Sequence, residues 1–457
     1  MKNKRYLALL LILLIVPAAL ASWGFALPEC YGDSFMGELK HKVSRLDELE
    51  GRRIVIVGGS AAAFGVDSEL LRAAFPDREI VNLGMYAALG TTVMLDLSER
   101  SVRAGDTVVI MPEISQQTMS DFFDPAVMWQ GLDGVYGLIS RLPVDKKLRL
   151  LGAFPEFAAS KLRFALRGER PAGEGVYRCD VFNDYGDVAT PLASRNTMPL
   201  LWDDTSPVKL SAELLDEKYV IRANEYALHT GADVVFCLAP VNELAVSGEI
   251  GELYNALCAA LSFPVIGNAR DSVMDAGWFF DTNYHLNSAG KAVFTDSLIG
   301  ALKAHFGDPE PFAVPLPNMP EPQSAAWTEG DDSDSEYFDY ADLGEAWAIS
   351  GARDRETLTV PAYFDGKPVS AILEGSFSDC KTLREVTLQE NIRSIASGAF
   401  DGAESLERII LKNEKPSSVR AGDGLLRGTR AKISVPESAR GAYMTDYFWS
   451  VFSGRIE

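Results

Sequence analysis

Residues 54–68 read IVIVGGSAAAFGVDS. Four β-branched residues in a row mark a strand buried on both faces, the kind a parallel sheet uses. Two glycines stop the run, Ser60 follows at once, and Ala61, Ala62 and Ala63 lead into a helix. Glycine tolerates backbone angles that other residues resist, so GGS reads as a tight turn at the carboxyl edge of a first strand. Ligands of open α/β sheets bind outside that edge. Ser60 is therefore either a residue that starts a helix or a nucleophile whose own N–H faces a developing oxyanion. A phosphate loop is excluded on pattern, because the stretch holds neither G-x-x-x-x-G-K-[ST] nor G-x-G-x-x-G.

Working outward, short apolar runs alternate with amphipathic ones. Strands are expected at 53–57, 79–83, 107–111, 233–239 and 264–266. Helices are expected at 67–75, 91–102, 211–230, 249–261 and about 287–305. This is the rhythm of βαβ units around a parallel sheet. The segment at about 115–205 breaks it with aromatics, prolines and basic helical pieces (KKLRLLGAFPEFAASKLRFALRG). It reads as an insertion that packs beside the sheet, covers a groove or faces a membrane.

The ends add three further regions. Lys2, Lys4 and Arg5 precede an apolar stretch long enough to span a bilayer. Residues 1–27 thus read as an anchor that leaves the rest of the chain outside the cytoplasm, with a signal peptide cleaved at AALAS as the rival. A connector is expected over 28–51. Six prolines followed by EGDDSDS make 307–336 a solvated linker. Beyond it, VSAILEGSFSDCKTLREVTL (369–388) matches IRSIASGAFDGAESLERIIL (392–411) at an offset of 23 residues. A period of that size means stacked units that bury their apolar faces on one another. The pattern over 337–457 resembles the short leucine-rich repeats of bacterial surface antigens, which implies a small solenoid with a protein or glycan partner.

Composition closes off several classes. A net charge of −21, from 64 acidic against 43 basic residues, opposes binding to nucleic acid. The five cysteines form no C-x-x-C pair, so zinc ribbons, thioredoxin-like chemistry and a disulfide scaffold lack support. Cys237 and Cys258 read as buried small hydrophobes, with a bridge between them left open. No cofactor and no metal site are expected.

A serine nucleophile needs a base. Of the four histidines, His41 lies in the connector, His229 late in a helix and His305 at the end of the last one. His285 lies in FFDTNYHLNSAG, the loop before the last helix, with Asp281 four residues earlier to orient its ring. Together VIVGGSAAAFG (56–65), VNLGMYAALG (81–90) and DTNYHLNSAG (281–290) resemble the SGNH (GDSL-type) hydrolase family over 52–306. The resemblance implies a flavodoxin-like three-layer domain with Ser60 as nucleophile, His285 as base and Asp281 as its acid. It also implies the N–H groups of Ser60 and Gly84 as oxyanion donors, with Asn82 a further polar candidate. Two departures stand out. IMPEIS (110–115) replaces the family's Gly-x-Asn-Asp, putting Glu113 where an Asn donor belongs, and Thr282 holds the usual place of the acid. They resemble the family's divergent membrane-anchored branch, which handles D-alanyl transfer to teichoic acid and polysaccharide acetylation. The expected activity is an extracytoplasmic serine acyl-ester hydrolase or O-acyltransferase acting on an acylated cell-envelope glycan or a small ester. The alternative is a catalytically silent scaffold that presents the repeats for adhesion or binding.

Overall fold

The computed structural model describes residues 24–457 other than 169, 172, 174, 190, 193–206, 321–326, 345, 423, 447 and 448. The expected anchor or signal peptide lies almost wholly outside the described residues. Among these, no helix is long and apolar enough to cross a membrane.

The run that opens the sequence forms β1 (Arg53–Gly58). It pairs in parallel with β2 (Glu79–Asn82) and β3 (Thr107–Met111), and β4 (Asp233–Phe236) adds to β3, giving the order β2-β1-β3-β4. The expected strand at 264–266 is reduced to one parallel bridge, Phe236 to Val265. Pro264 has no N–H to give to a ladder, and Gly267 turns away with φ +85. Among the described residues, nine α-helices accompany the sheet: α1 (Leu39–Glu48), α2 (Ser60–Gly65), α3 (Ser68–Ala74), α4 (Thr91–Glu99), α5 (Pro125–Leu132), α6 (Val144–Arg167), α7 (Glu217–Thr230), α8 (Ile250–Ala260) and α9 (Ser288–Phe306).

Successive strand residues face opposite ways, and the apolar core splits accordingly. Val55, Val57, Val108 and Ile110 pack with α1, α4, α7 and α8 on one side. Ile54, Ile56, Val109 and Met111 pack with α2, α3 and α9 on the other. The result is a mixed α/β arrangement with helices on both faces of a parallel sheet. Local capping sets the helix starts: Asp67 accepts from Glu69 N and Leu70 N, and Asn287 accepts from Gly290 N. Asp216 caps α7, which is why the expected 211–230 helix begins only at Glu217.

Several boundaries shift. The region 28–51 is no mere connector, since Leu39, Val43 and Leu46 of α1 are buried in the sheet's core. Phe25, at the end of the apolar N-terminal run, stacks on Phe154 with ring centroids 4.6 Å apart. Cys258 is exposed rather than buried, and both it and Cys237 are free thiols. The acidic run of the linker is partly docked: Asp334 accepts from Thr359 N at 2.8 Å and Asp332 from Tyr363 N at 2.8 Å.

The C-terminal region contains β5 (Phe338–Asp342), β6 (Trp347–Ala352), β7 (Thr357–Thr359), β8 (Lys367–Ile372), β9 (Glu385–Leu388), β10 (Ser394–Ile395), β11 (Arg408–Leu411), β12 (Arg420–Ala421) and β13 (Lys432–Ser434). They form two sheets, β12-β10-β8-β6-β5 and β7-β9-β11-β13, whose pairings are parallel except β5–β6, and the short strand Tyr363–Phe364 adds to β8 as an antiparallel hairpin. The 23-residue offset is the pairing register: Ile372 lies opposite Ile395, Val386 opposite Ile409 and Leu388 opposite Leu411. Phe377 and Phe400 stack at 4.7 Å.

Candidate active site

Ser60 is the first residue of α2, at the carboxyl end of β1. The two preceding glycines answer to close approach rather than to unusual angles. Gly59 has an ordinary φ of −91. A Cβ on Gly58 would lie 2.1 Å from Met111 O, and one on Gly59 would lie 2.0 Å from Glu113 Oε2. With no side chain, Gly59 cannot cap α2. Glu113 does so from beyond β3, its Oε1 accepting the Ala61 N–H at 2.9 Å.

The loop before α9 brings the other two residues in. His285 Nε2 lies 2.8 Å from Ser60 Oγ, and its Nδ1 lies 2.9 Å from Asp281 Oδ1. The unusual spacing of the acid is accommodated by a turn: Thr282 Oγ1 accepts from Tyr284 N at 3.0 Å and His285 N at 2.9 Å. Phe64 lies flat on the imidazole, with centroids 3.9 Å apart and planes 6° apart. Ser60, His285 and Asp281, separated by up to 225 residues, thus form one relay.

Two residues that sequence reasoning missed complete the acid's surroundings. The Tyr177 hydroxyl donates to Asp281 Oδ2 and lies 3.2 Å from His285 Nδ1. Arg420, on β12 of the repeat region, reaches Asp281 Oδ2 at 3.5 Å and lies over the Tyr177 ring. Burial alone would raise the Asp281 carboxyl. The His285, Arg420 and Tyr177 contacts outweigh it and hold the group below the usual carboxylate range. Neither residue carries a sequence signal, since Tyr177 lies in an aperiodic insertion and Arg420 on a two-residue strand.

The oxyanion side departs from expectation. Asn82 is not available as a donor: its amide N–H groups go to Ala62 O at 2.9 Å and Asp187 Oδ1 at 2.8 Å. Its Oδ1 in turn accepts the Gly84 N–H at 2.8 Å, so that expected donor is already engaged. Asn82 fixes the turn. Glu113 is buried, 3.2 Å from Ser60 Oγ, and its Oε2 has no hydrogen-bond partner. Burial pushes this carboxyl above its usual value against the smaller opposing pulls of Ala61 N–H, His285 and Ser60. The shift favours the neutral acid, and that form would change the chemistry twice over. It competes less for the Ser60 proton than a carboxylate would, leaving that proton to His285, and its acid O–H is a donor.

The other histidines lie apart, His229 beside Glu99 and His305 beside Asp233. His41, Glu38 and Cys179 hold ligand-type atoms within 4.8 Å of one another. Burial and the Glu38 carboxylate push the Cys179 thiol up to about 12.

This is a parallel α/β protein with a serine–histidine–aspartate relay at its strand ends. The chain matches no family model and no curated protein.

Proposed function

We propose that the protein is a serine acyl-ester hydrolase or O-acyltransferase of the SGNH type, followed by a small leucine-rich-repeat solenoid. The relay Ser60–His285–Asp281, with links of 2.8 and 2.9 Å, carries this reading. The strand order β2-β1-β3-β4, with a fifth segment bridged at Val265, fits a flavodoxin-like sheet. His285 takes the Ser60 proton as Oγ attacks an ester carbonyl, and Asp281 stabilises the imidazolium that forms. The Ser60 N–H and the acid O–H of Glu113 receive the oxyanion. His285 then returns the proton to the leaving alcohol, and water or a sugar hydroxyl takes the acyl group. The substrate class is an acylated cell-envelope glycan, reached outside the membrane.

The test is labelling by a fluorophosphonate, which captures an activated serine. Wild type labels and Ser60→Ala does not; a wild type that stays unlabelled between about pH 6 and 9, the range in which a histidine base works, removes the reading. The scaffold alternative draws on one observation, the engagement of both Asn82 and Gly84 within the fold. It expects no labelling.

A further inference from the structure

Helix α6 carries large apolar side chains on its outside as well as in the core. Its buried face comprises Lys146, Leu150, Phe154, Phe157, Ala158, Lys161 and Phe164, with the two lysines satisfied by Asp96 and Asp133. About a third of a turn round the helix, next to the Phe154–Ala158 edge of that face, Val144, Leu148, Leu151, Pro155, Ala159 and Leu166, with the half-buried Leu162, recur every three or four residues. Val144 is 71% exposed, Leu148 63%, Leu151 66% and Leu166 78%. A solvent-facing helix ordinarily shows charges there, and a continuous apolar stripe marks a surface that something covers. With 24 residues, the stripe runs roughly 36 Å.

Two features say what covers it. The apolar N-terminal segment enters the structure against this same helix: Phe25 stacks on Phe154, and a Cβ on Gly24 would lie 2.8 Å from Phe154 and 2.9 Å from Ala158. The chain thus joins the described structure at Gly24, beside α6. The helix is also locally basic in an acidic chain: beyond its two buried lysines, Lys147, Arg149, Arg163 and Arg167 stand against Asp145 and Glu156. An apolar stripe flanked by bases is the pattern of a helix that lies in the plane of a lipid–water interface.

We propose that the exposed face of α6 rests on the outer surface of the bilayer that receives the N-terminal segment. The inference rests on the extracytoplasmic placement proposed above. The α/β domain then lies against the membrane along this helix instead of hanging from a flexible tether. The acyl-transfer site at the strand ends is held at a fixed height above the lipid.

The experiment uses the full chain with Cys258, the exposed thiol, replaced by serine. An environment-sensitive dye is placed at Leu151→Cys or, as control, at Glu404→Cys on the repeat region. The protein is reconstituted into vesicles of phosphatidylcholine with phosphatidylglycerol, some carrying a lipid-resident quencher. The expected result is a blue-shifted emission at position 151, quenched at least two-fold by the lipid quencher, with position 404 unchanged. A chain that floats with the vesicles but shows no shift at 151 overturns the docking alone, and a chain that does not float overturns the anchor as well. A shift at 151 that appears without vesicles and grows with protein concentration assigns the stripe to a second copy and also overturns the proposal.

Discussion

Replacing Glu113 by glutamine separates the two states of a buried acid. The glutamine side chain keeps the acceptor that holds Ala61 N–H at 2.9 Å. In place of the unpartnered Oε2 it puts an NH₂ group, a permanent donor. If Glu113 works as a neutral acid, Glu113→Gln retains fluorophosphonate reactivity and extends it to higher pH, where the wild type loses its donor. Glu113→Leu, which has no donor, falls by about 10²–10³-fold, the usual cost of one oxyanion contact. Stability gives an independent check. Burial raises the folded-state carboxyl, so between the unfolded and folded values the native chain holds a proton the unfolded chain has lost. Wild-type stability therefore falls with rising pH in that window, by about 1.4 kcal/mol per pH unit. The glutamine variant lacks this slope, and its advantage in urea unfolding grows from about pH 5 upward. Second-order inactivation rates across roughly pH 5–9, with urea melts at several pH values, read both. A glutamine variant as slow as the leucine variant would refute the argument, since the ionised carboxylate would then be the working form.

Other substitutions probe the supports of the site and the fold. Gly59→Ala drives a methyl into the Glu113 carboxyl; it is expected to cost about 1–3 kcal/mol in unfolding and most of the labelling. Arg420→Gln removes a positive charge beside Asp281, so the Asp281 carboxyl rises toward its usual range and the labelling rate falls selectively at the acid end of its pH profile. A rate lowered equally at every pH would assign Arg420 a merely structural part. Phe400→Ala empties one half of the Phe377–Phe400 stack and should destabilise by about 3–5 kcal/mol in denaturant. Burial lowers the Lys42 ammonium to about 8. Between there and the ordinary lysine value the unfolded chain binds the extra proton, so this group makes stability rise with pH over about 8–10; Lys42→Met is expected to lose that slope in urea melts.

Much of the scaffold was legible because it obeys short-range rules. The β-branched run at 53–58, the Asp67 and Asn287 caps and the 23-residue offset are patterns that neighbours in sequence impose. The structure places strands, helix starts and pairing register accordingly. The meeting of Ser60, His285 and Asp281 was legible because a serine at one strand end and a histidine in the loop before the last helix are both forced toward one sheet edge. What failed to show depends on contact between distant segments. The glycines of GGS are needed for the approach of Met111 and Glu113, not for their angles. Tyr177 and Arg420 lie 104 and 139 residues from Asp281.

Glu113 shows most clearly where reading by residue type stops. In the sequence a glutamate in the place of an amide donor looks disabling, because an exposed glutamate is an anion that only accepts hydrogen bonds. Its character is set by the cost of burying that charge, which the Ala61 N–H and His285 do not recover. The same environment thus favours the neutral acid, the form that can donate a hydrogen bond where the anion cannot. Arg420 makes the converse case: a permanent cation is tolerated in the interior because Asp281 and Asp446 face it. Since that cation belongs to the repeat region, the ionisation of Asp281 is tied to where that region places Arg420.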